Sequence, residues 1–277
     1  IDEEGETETE LEYATLDLFM HDNAVLAAGK FLSPIGQFRQ NIHPAWINKL
    51  PSAPPGFGHD GAAPLAEVGA QVRGGFSLGG RRSNYAVFVG NGPRAGIEGE
   101  EIHGIETEGF TSNEDDDQVW GGRLAILPWP QFELGVSGAA GKIGLFDDVQ
   151  TLVESGRDYD VVGADFVYHL SLIEFRGEYV RQRIASDSGS AVPEEFEWAT
   201  WYGQAAYRVA PTRWEAVLRY GDFDSPHADD DQRQWAAGLD YWFAGNVVGK
   251  LAYEWNEGES GSEAEEDRVL LQLAYGF

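Results

Sequence analysis

The amino-acid sequence predicts an all-β fold, a transmembrane antiparallel up-and-down β-barrel, and three observations point to it. Apolar and aromatic residues recur at every second position through thirteen segments, and a period of two is typical of β-strands. Most segments run ten residues or more. Soluble strands usually run about five or six residues, whereas a tilted membrane-spanning strand needs about 9–11. The connections alternate strictly between short turns and long loops, as in membrane barrels.

The composition narrows the class of protein further. The 277 residues carry a net charge of −28, from 47 acidic and 19 basic residues, and include no cysteine. No window approaches the roughly 18 apolar residues of a transmembrane helix. Without cysteine there is neither a disulfide framework nor a thiolate metal site, and no cofactor is predicted. Nucleic acid is not predicted as a partner, because phosphate binding depends on Lys and Arg and acidic residues far outnumber basic ones here.

The first part of the chain contains two strands and one long loop. Residues 1–10 are an acidic opening, interpreted as a solvated loop. Strands follow at residues 11–20 and 24–31, joined by a tight turn. Residues 32–64 form the longest irregular stretch, rich in proline and glycine. Because so long a loop in a compact protein is usually functional, it is predicted to be a constriction loop folded into the lumen.

The remaining chain continues the strand pattern to its last residue. Eleven more strands are predicted around the alternating apolar residues at positions 65–78, 85–89, 120–126, 132–136, 162–168, 173–179, 199–207, 214–220, 235–243, 247–255 and 268–277. The long loops between them are predicted at residues 91–117, 141–156, 185–195, 222–231 and 256–266. The last strand, R-V-L-L-Q-L-A-Y-G-F, ends on Phe277 and resembles the closing strand of Gram-negative outer-membrane barrels.

The orientation of the apolar face separates a membrane barrel from a soluble sheet. In a soluble sandwich or propeller, the alternative considered, this face would be the core. A barrel of thirteen or more strands cannot fill its interior with side chains and holds water, so the polar face is predicted to line a wet lumen. The predicted pore-lining residues are Lys30, Glu67, Arg73, Arg123, Glu133, Asp165, Glu174, Arg176, Glu178, Glu215, Arg219, Asp240 and Lys250.

The odd strand number carries a prediction of its own. Bacterial single-chain barrels have even strand numbers and both termini in the periplasm. Residues 1–277 are therefore expected to be one barrel domain that lacks its first strand or strands. An intact barrel of 14 to 16 strands is predicted.

Residues 29–36 read G-K-F-L-S-P-I-G and resemble a strand-to-loop motif of the phosphate-selective porin O/P family. The family pattern is Gly, any residue, Phe, Lys, any residue, Pro, Phe, then Gly or Ser. Leu32 stands where Lys is usual, and Ile35 stands where Phe is usual. The resemblance implies a homotrimeric, 16-stranded porin of the cell outer membrane, in contact with lipid and lipopolysaccharide. It also implies a loop lining the constriction, whereas the missing Lys leaves phosphate selectivity without support.

The long loop carries four candidate constriction residues, Arg39, His43, Trp46 and Lys49. In one interpretation the loop folds into the lumen, where Arg39 and Lys49 contact permeant anions. In the other, the loop lies over the rim or packs on a neighbouring subunit.

Four of the inward arginines allow two interpretations as well. Arg73, Arg123, Arg176 and Arg219 fall on different strands and would form a ladder that attracts anions. Alternatively they balance the carboxylates on the same faces in ion pairs across the lumen. Charge balance is the favoured interpretation.

The negative charge is concentrated in segments 1–10, 98–117, 222–231 and 257–267, whose charged residues are all acidic. All four are predicted to be extracellular. Asp115 to Asp117 and Asp229 to Asp231 offer hard oxygen ligands for Ca²⁺. Because neither run has EF-hand spacing, a solvated acidic rim that concentrates cations at the mouth is favoured, and no metal site is predicted.

Enzymatic activity is not predicted, and no catalytic residue is assigned. The six histidines fall in predicted turns or loops, and the proximity of His227 to Asp229 is interpreted as chance in an acidic loop. The predicted function is passive diffusion of small hydrophilic solutes or ions through a porin. The alternative is a structural barrel, a sheath or anchor for a surface or electron-transfer assembly.

Overall fold

Thirteen antiparallel strands form one sheet in chain order, and two further strands form a hairpin attached to it. The computed structural model describes residues 11–42, 44–58, 61–98, 101–147, 149–227 and 229–276. The strands are β1 (Ala14–His21), β2 (Ala24–Leu32), β3 (Ala66–Leu78), β4 (Arg81–Gly90), β5 (Arg94–Glu98), β6 (Glu101–Glu106), β7 (Val119–Trp129), β8 (Phe132–Phe146), β9 (Leu152–Leu170), β10 (Ile173–Ile184), β11 (Phe196–Val209), β12 (Trp214–Asp224), β13 (Gln232–Ala244), β14 (Val247–Glu257) and β15 (Arg268–Tyr275).

The sheet follows an up-and-down meander. The pairing order runs β1-β2-β3-β4-β7 and then continues through β15 without a crossover. β1 pairs with β2 and β15 pairs with β14, and no pairing between β1 and β15 is present in the described part of the chain. Short turns lie on one rim, called the turn side below, and long loops lie on the other, called the loop side. The predicted all-β, up-and-down barrel fold is confirmed.

Helical structure is limited to two short segments. Phe38–Ile42 forms one π-helical turn within the long loop, and Glu263–Glu265 forms one 3₁₀ turn. Among the described residues no helix is long and apolar enough to span a membrane.

The outer face of the sheet is apolar and the inner face carries charged side chains, which is the reverse of a soluble protein. Outward side chains are apolar and exposed, as Val136 at 60% and Leu218 at 47% show. The neighbouring inward positions hold buried charged residues such as Arg219 and Lys250. Soluble proteins rarely bury Lys or Arg while exposing Leu along a whole face. The soluble sandwich or propeller therefore does not fit, and the apolar face suits lipid.

Aromatic residues form two bands on the outer surface. On the turn side Trp129 stacks on Phe132 with ring centroids 4.9 Å apart, and Phe132 meets Tyr168 at 5.6 Å. On the loop side Tyr220 meets Trp235 at 4.9 Å. Such bands are typical of the two membrane–water interfaces. Phe277 lies outside the described residues.

Two parts of the predicted loop regions are strands instead. β5 and β6 form a hairpin inside predicted loop 91–117, and β5 pairs in parallel with the end of β8. β8 and β9 extend through most of predicted loop 141–156. Ile97, Ile102 and Ile105 are buried, so burial of these apolar side chains explains the hairpin despite its acidic surroundings.

The lumen is not uniformly wet. The long loop, residues 33–65, and the β5–β6 hairpin turn inward and pack on the inner face of the wall. Phe57 meets Tyr202 of β11 with ring centroids 5.2 Å apart, and Leu50 packs in a second cluster with Ala206 and neighbouring strands. The expectation of a fully water-filled interior is therefore wrong for this part, because the inward segments supply apolar partners for the wall.

Candidate functional site

The long loop enters the lumen at its first residues. Ser33 N donates to Leu65 O at 3.0 Å and closes the base of the loop. Gly36 adopts a φ of +70°, and a Cβ atom there would lie 1.7 Å from Glu178 Oε1. A side chain at this position is therefore excluded, which explains why a glycine stands here. Gly36 N also donates to Ser137 Oγ on β8 at 3.1 Å.

Glu178 on β10 holds the π-helical turn in place. Its Oε2 accepts hydrogen bonds from Gln37 N at 3.0 Å and Phe38 N at 2.9 Å. Phe38 then packs edge-on against Phe57 and Tyr202. One carboxylate thus satisfies two buried backbone amides, which fixes the direction in which the turn points its side chains.

Arg219 on β12 binds the middle of the loop. Its guanidinium donates to Ser52 O at 3.0 Å and to Ala53 O at 3.0 Å. It also donates to Gln234 Oε1 at 2.8 Å. Arg219 is therefore occupied by main-chain carbonyls rather than directed at the open lumen.

Two lysines complete the attachment of the loop. Lys250 Nζ on β14 donates to Asn48 O at 2.5 Å and also to Ala45 O. Lys49 Nζ forms an ion pair with Glu215 of β12 at 2.7 Å, and the Lys49 side chain is 14% exposed. The loop therefore lies inside the wall and not over the rim.

The four candidate constriction residues have different surroundings. Arg39 Nη2 donates to Phe57 O at 2.6 Å, within the loop itself. Trp46 is exposed at 41% and lies beside a cavity described below. Lys49 is occupied by Glu215. His43 lies outside the described residues.

Inward arginines on the wall are paired with carboxylates. Arg123 makes a two-point contact with Asp165, at 2.8 and 2.6 Å, and a third contact with Glu133 at 3.0 Å. Arg176 pairs with Glu174 on the same strand. Because buried pairs cost about 3–5 kcal/mol to break, these contacts support charge balance rather than a free arginine ladder.

The other predicted inward residues pair as follows. Arg73 pairs with Asp17 at 2.7 Å, and Arg219 approaches Glu254 at 3.5 Å. Asp240 stands opposite Lys250 in the register of β13 and β14. Glu67 stands opposite Phe31 on the inner face. Lys30 stands opposite Val68 and alternates with the inward Ala27 and Phe31, so it lies on the outward face and its prediction as a pore-lining residue is wrong.

Two cavities lie beside the π-helical turn. The turn-side cavity has a volume of about 650 Å³ and the loop-side cavity about 700 Å³. Gln40, Asn41 and Arg73 line both cavities. Phe31, Gln71 and Trp46 line the loop-side cavity. The two cavities are adjacent and follow the inner face of β2 to β4 and β7, on the side of the lumen that the apolar core leaves open.

The turn-side cavity is lined largely by polar side chains that sequence reasoning missed. The loop contributes Gln37, Gln40 and Asn41. Asn84 of β4 and Gln131 of the β7–β8 turn face them. The predicted pore residues are all charged, so the prediction does not include the uncharged amides beside the Gly29–Gly36 motif. Among the predicted set, Arg73, Arg123 and Glu133 line this cavity.

The acidic loops show no metal site in the described part of the chain. No group of three or more His, Cys, Asp or Glu residues there has a geometry suited to a metal ion. Asp115 instead accepts the backbone amide of Asp117 at 3.2 Å. The His227 Nε2 atom lies 2.7 Å from Ile102 O of the β5–β6 hairpin.

These features define a transmembrane β-barrel fold, with a lipid-compatible outer face and an inward loop. The structure is similar to an anion-selective porin from Comamonas acidovorans, with a TM-score of 0.58 and 15% identity, over 95% of this chain and 73% of that chain. It is also similar to the trimer form of OmpT, an outer membrane protein of Vibrio cholerae, with a TM-score of 0.55 and 12% identity, over 98% and 82%. At such identities the similarity shows the fold alone. No protein-family model and no curated protein matches the chain.

The comparisons correct one prediction and leave another open. The similar structures include OmpT, an outer membrane protein of Vibrio cholerae, and a shared fold does not settle whether a chain is catalytic. The prediction that the chain is not an enzyme is therefore wrong, because this fold does not exclude catalysis. The resemblance to the phosphate-selective porin O/P family stays a prediction, since the similar structures support only the common barrel fold.

Proposed function

We propose that the protein is a porin of the cell outer membrane that lets small hydrophilic solutes or ions diffuse passively through its lumen. The observation that carries this proposal is the pair of adjacent cavities beside the π-helical turn, which share Gln40, Asn41 and Arg73. Their shared lining is polar, as a route for hydrated solutes requires. The fold similarity to an anion-selective porin supports the same class.

In this proposal residues 1–277 are one barrel domain and the 32–64 segment is its constriction loop. Arg73, Arg123 and Glu133 are assigned to the permeation route, because they line the turn-side cavity. Lys49, Glu178, Arg219 and Lys250 are assigned to seating the loop. The outer face contacts lipid and lipopolysaccharide, and the barrel assembles as a homotrimer.

A second candidate is the sheath or anchor. The observation that favours it is the apolar core that fills the lumen beside β8 to β12, built from Phe38, Phe57, Tyr202 and their neighbours. In a sheath the remaining cavities would be closed by a partner.

Planar-bilayer recordings with the purified protein distinguish the two candidates. A porin is expected to give stepwise, long-lived currents, in multiples of three for a trimer. The reversal potential in a salt gradient gives the ion preference. Heat-unfolded protein in the same detergent is the control. Repeated insertions without current would overturn the porin proposal and favour the sheath.

A further inference from the structure

The turn-side cavity brings together five carboxamide side chains from separate parts of the chain. Gln37, Gln40 and Asn41 project from the π-helical turn and its approach, while Asn84 and Gln131 face them from the wall. A carboxamide carries two donors and one acceptor oxygen without net charge. Alcohol groups likewise donate and accept, so a hydroxyl-bearing solute can satisfy these amides in pairs.

The charges around the same cavity are neutralised within the protein. Arg123 is held by Asp165 and Glu133, and Arg73 is paired with Asp17. His169, at the turn-side end of the cavity, lies 3.3 Å from Glu174. A charged solute entering here would lose hydration without gaining an unengaged counter-charge, which is unfavourable. An uncharged polar solute avoids that cost.

Several of the amides are held in position before any solute arrives. Gln37 Nε2 donates to Glu133 Oε1 at 3.0 Å, and Asn84 Oδ1 accepts from Arg123 Nη1 at 3.2 Å. Glu178 fixes the π-helical turn that carries Gln40 and Asn41. Groups that are already oriented lose less entropy on binding.

The cavity also has apolar surface and a suitable size. Val25, Ala86 and Val167 line it together with the amides, and the C–H groups of a sugar ring can pack on such side chains. Its volume of about 650 Å³ lies within the roughly 300–1,000 Å³ of small-molecule sites. A few placed polar groups beside apolar surface are the usual composition of such a site.

We propose that the turn-side cavity is a binding site for small uncharged polyhydroxyl solutes, such as monosaccharides and sugar alcohols, on the permeation route. This inference rests on the proposed porin function. It names the solute class that the carboxamides select and assigns them as the specificity-determining residues.

The test is the effect of D-glucose on the ion current through the protein in a planar bilayer. Glucose is expected to lower the current in a saturable manner, and gluconate, a charged molecule of similar size, to do so only at higher concentration. Asn41→Leu and Gln131→Leu each remove one hydrogen-bonding partner and are expected to raise the half-saturating glucose concentration about two- to tenfold.

Gln118→Leu is the matched control, because Gln118 is exposed on the loop before β7, away from the cavity. It is expected to leave the half-saturating concentration unchanged. The inference is overturned by an open channel without saturable glucose block, by tighter block with gluconate, or by cavity variants that behave like the control. Absence of any current would instead overturn the porin proposal itself, so the two failures are distinct.

Discussion

Three charged side chains of the inner wall bind the main chain of the inward loop. Glu178 accepts two backbone amides, Arg219 donates to the carbonyls of Ser52 and Ala53, and Lys250 donates to two further carbonyls. A hydrogen bond to a charged group contributes about 1.5–3 kcal/mol. These residues therefore contribute to the position of the loop as much as to the charge of the lumen.

Lys250→Met is expected to destabilise the barrel strongly. It removes the donors to Ala45 and Asn48 and leaves Asp240 buried opposite an apolar side chain. Removing one member of a buried charge pair costs about 3–5 kcal/mol, so the free energy of unfolding should fall by that amount in urea titrations with lipid vesicles. Lys142→Met is the control, since Lys142 pairs with Asp158 at the surface and should cost less than about 1 kcal/mol. Equal losses in the two variants would contradict the seating role.

Arg73→Gln is expected to shift the ion preference toward cations. Arg73 lines both cavities, and its replacement leaves the negative charge of Asp17, its partner at 2.7 Å, unbalanced. A unit charge about 6 Å from an ion in water is worth about 0.7 kcal/mol. The energies of a cation and an anion beside this charge change in opposite directions. The cation-to-anion permeability ratio should therefore rise about three- to tenfold. The measurement is the reversal potential in a salt gradient. Arg183→Gln, at an arginine paired with Asp160 at 2.6 Å and outside both cavities, should leave the potential unchanged, and a matching shift there would refute the assignment.

The strands and the inward loop differ in how far the sequence predicts them. Alternation such as Trp201, Gly203 and Ala205 is local, so each wall strand and each short turn can be recognised from neighbouring residues. The Gly36 and Pro34 positions mark where the loop leaves β2. The acceptor for the amides of Gln37 and Phe38, however, lies about 140 positions away, and no local pattern identifies it.

The β5–β6 hairpin was missed for a related reason. Its buried positions, Ile97, Ile102 and Ile105, lie among acidic residues and do not keep a strict period of two. They become strand because the β8 extension and the inward loop provide apolar surface. The carboxamide cluster was missed because its members come from the loop, β4 and the β7–β8 turn, and only the folded chain brings them together.

Glu178→Ala is expected to open the inward loop to protease. The variant leaves the buried backbone amides of Gln37 and Phe38 without an acceptor, and each unsatisfied amide costs about 1–3 kcal/mol of stability. Local opening should then become frequent enough for trypsin to cut after Arg39. Mass spectrometry of timed digests gives the cleavage rate at that bond, which should be low in the unaltered protein. Glu197→Ala, at an exposed carboxylate 3.6 Å from Arg181, should digest as slowly as the unaltered protein. Fast cleavage after Arg39 in all three would rule out a firmly seated loop.

The molecule as a whole is organised by what lies on each side of one sheet. Apolar side chains such as Val136 and Leu251 face outward over the full width of the wall, while charges and the inward loop occupy the interior. A lipid environment satisfies the outer face, and the antiparallel ladder satisfies the backbone polar groups between neighbouring strands. The same loop that narrows the lumen also gives the inner wall its apolar core.

Leu218→Arg tests this organisation directly. Leu218 lies near the middle of β12 on the outward face, and an arginine near the bilayer midplane costs about 2–4 kcal/mol. The free energy of folding into vesicles should fall by that amount relative to Leu218→Ala, which shortens the side chain without adding charge. Variants of equal stability would show that this face does not meet lipid.

The attachment of the loop has a consequence for the order of assembly. Lys250 reaches back 205 positions to Ala45, and Glu215 reaches back 166 positions to Lys49. Contacts between positions this far apart along a chain form slowly, because loop closure precedes any gain from them. The loop precedes β12 and β14 in the chain, and its carbonyls can form these hydrogen bonds only after the two strands have joined the sheet. In pulsed hydrogen exchange we expect the loop amides of Ile47 and Asn48 to gain protection after those of β3 and β4, and simultaneous protection would contradict this order. The inward loop would then be the last part of the barrel to become rigid.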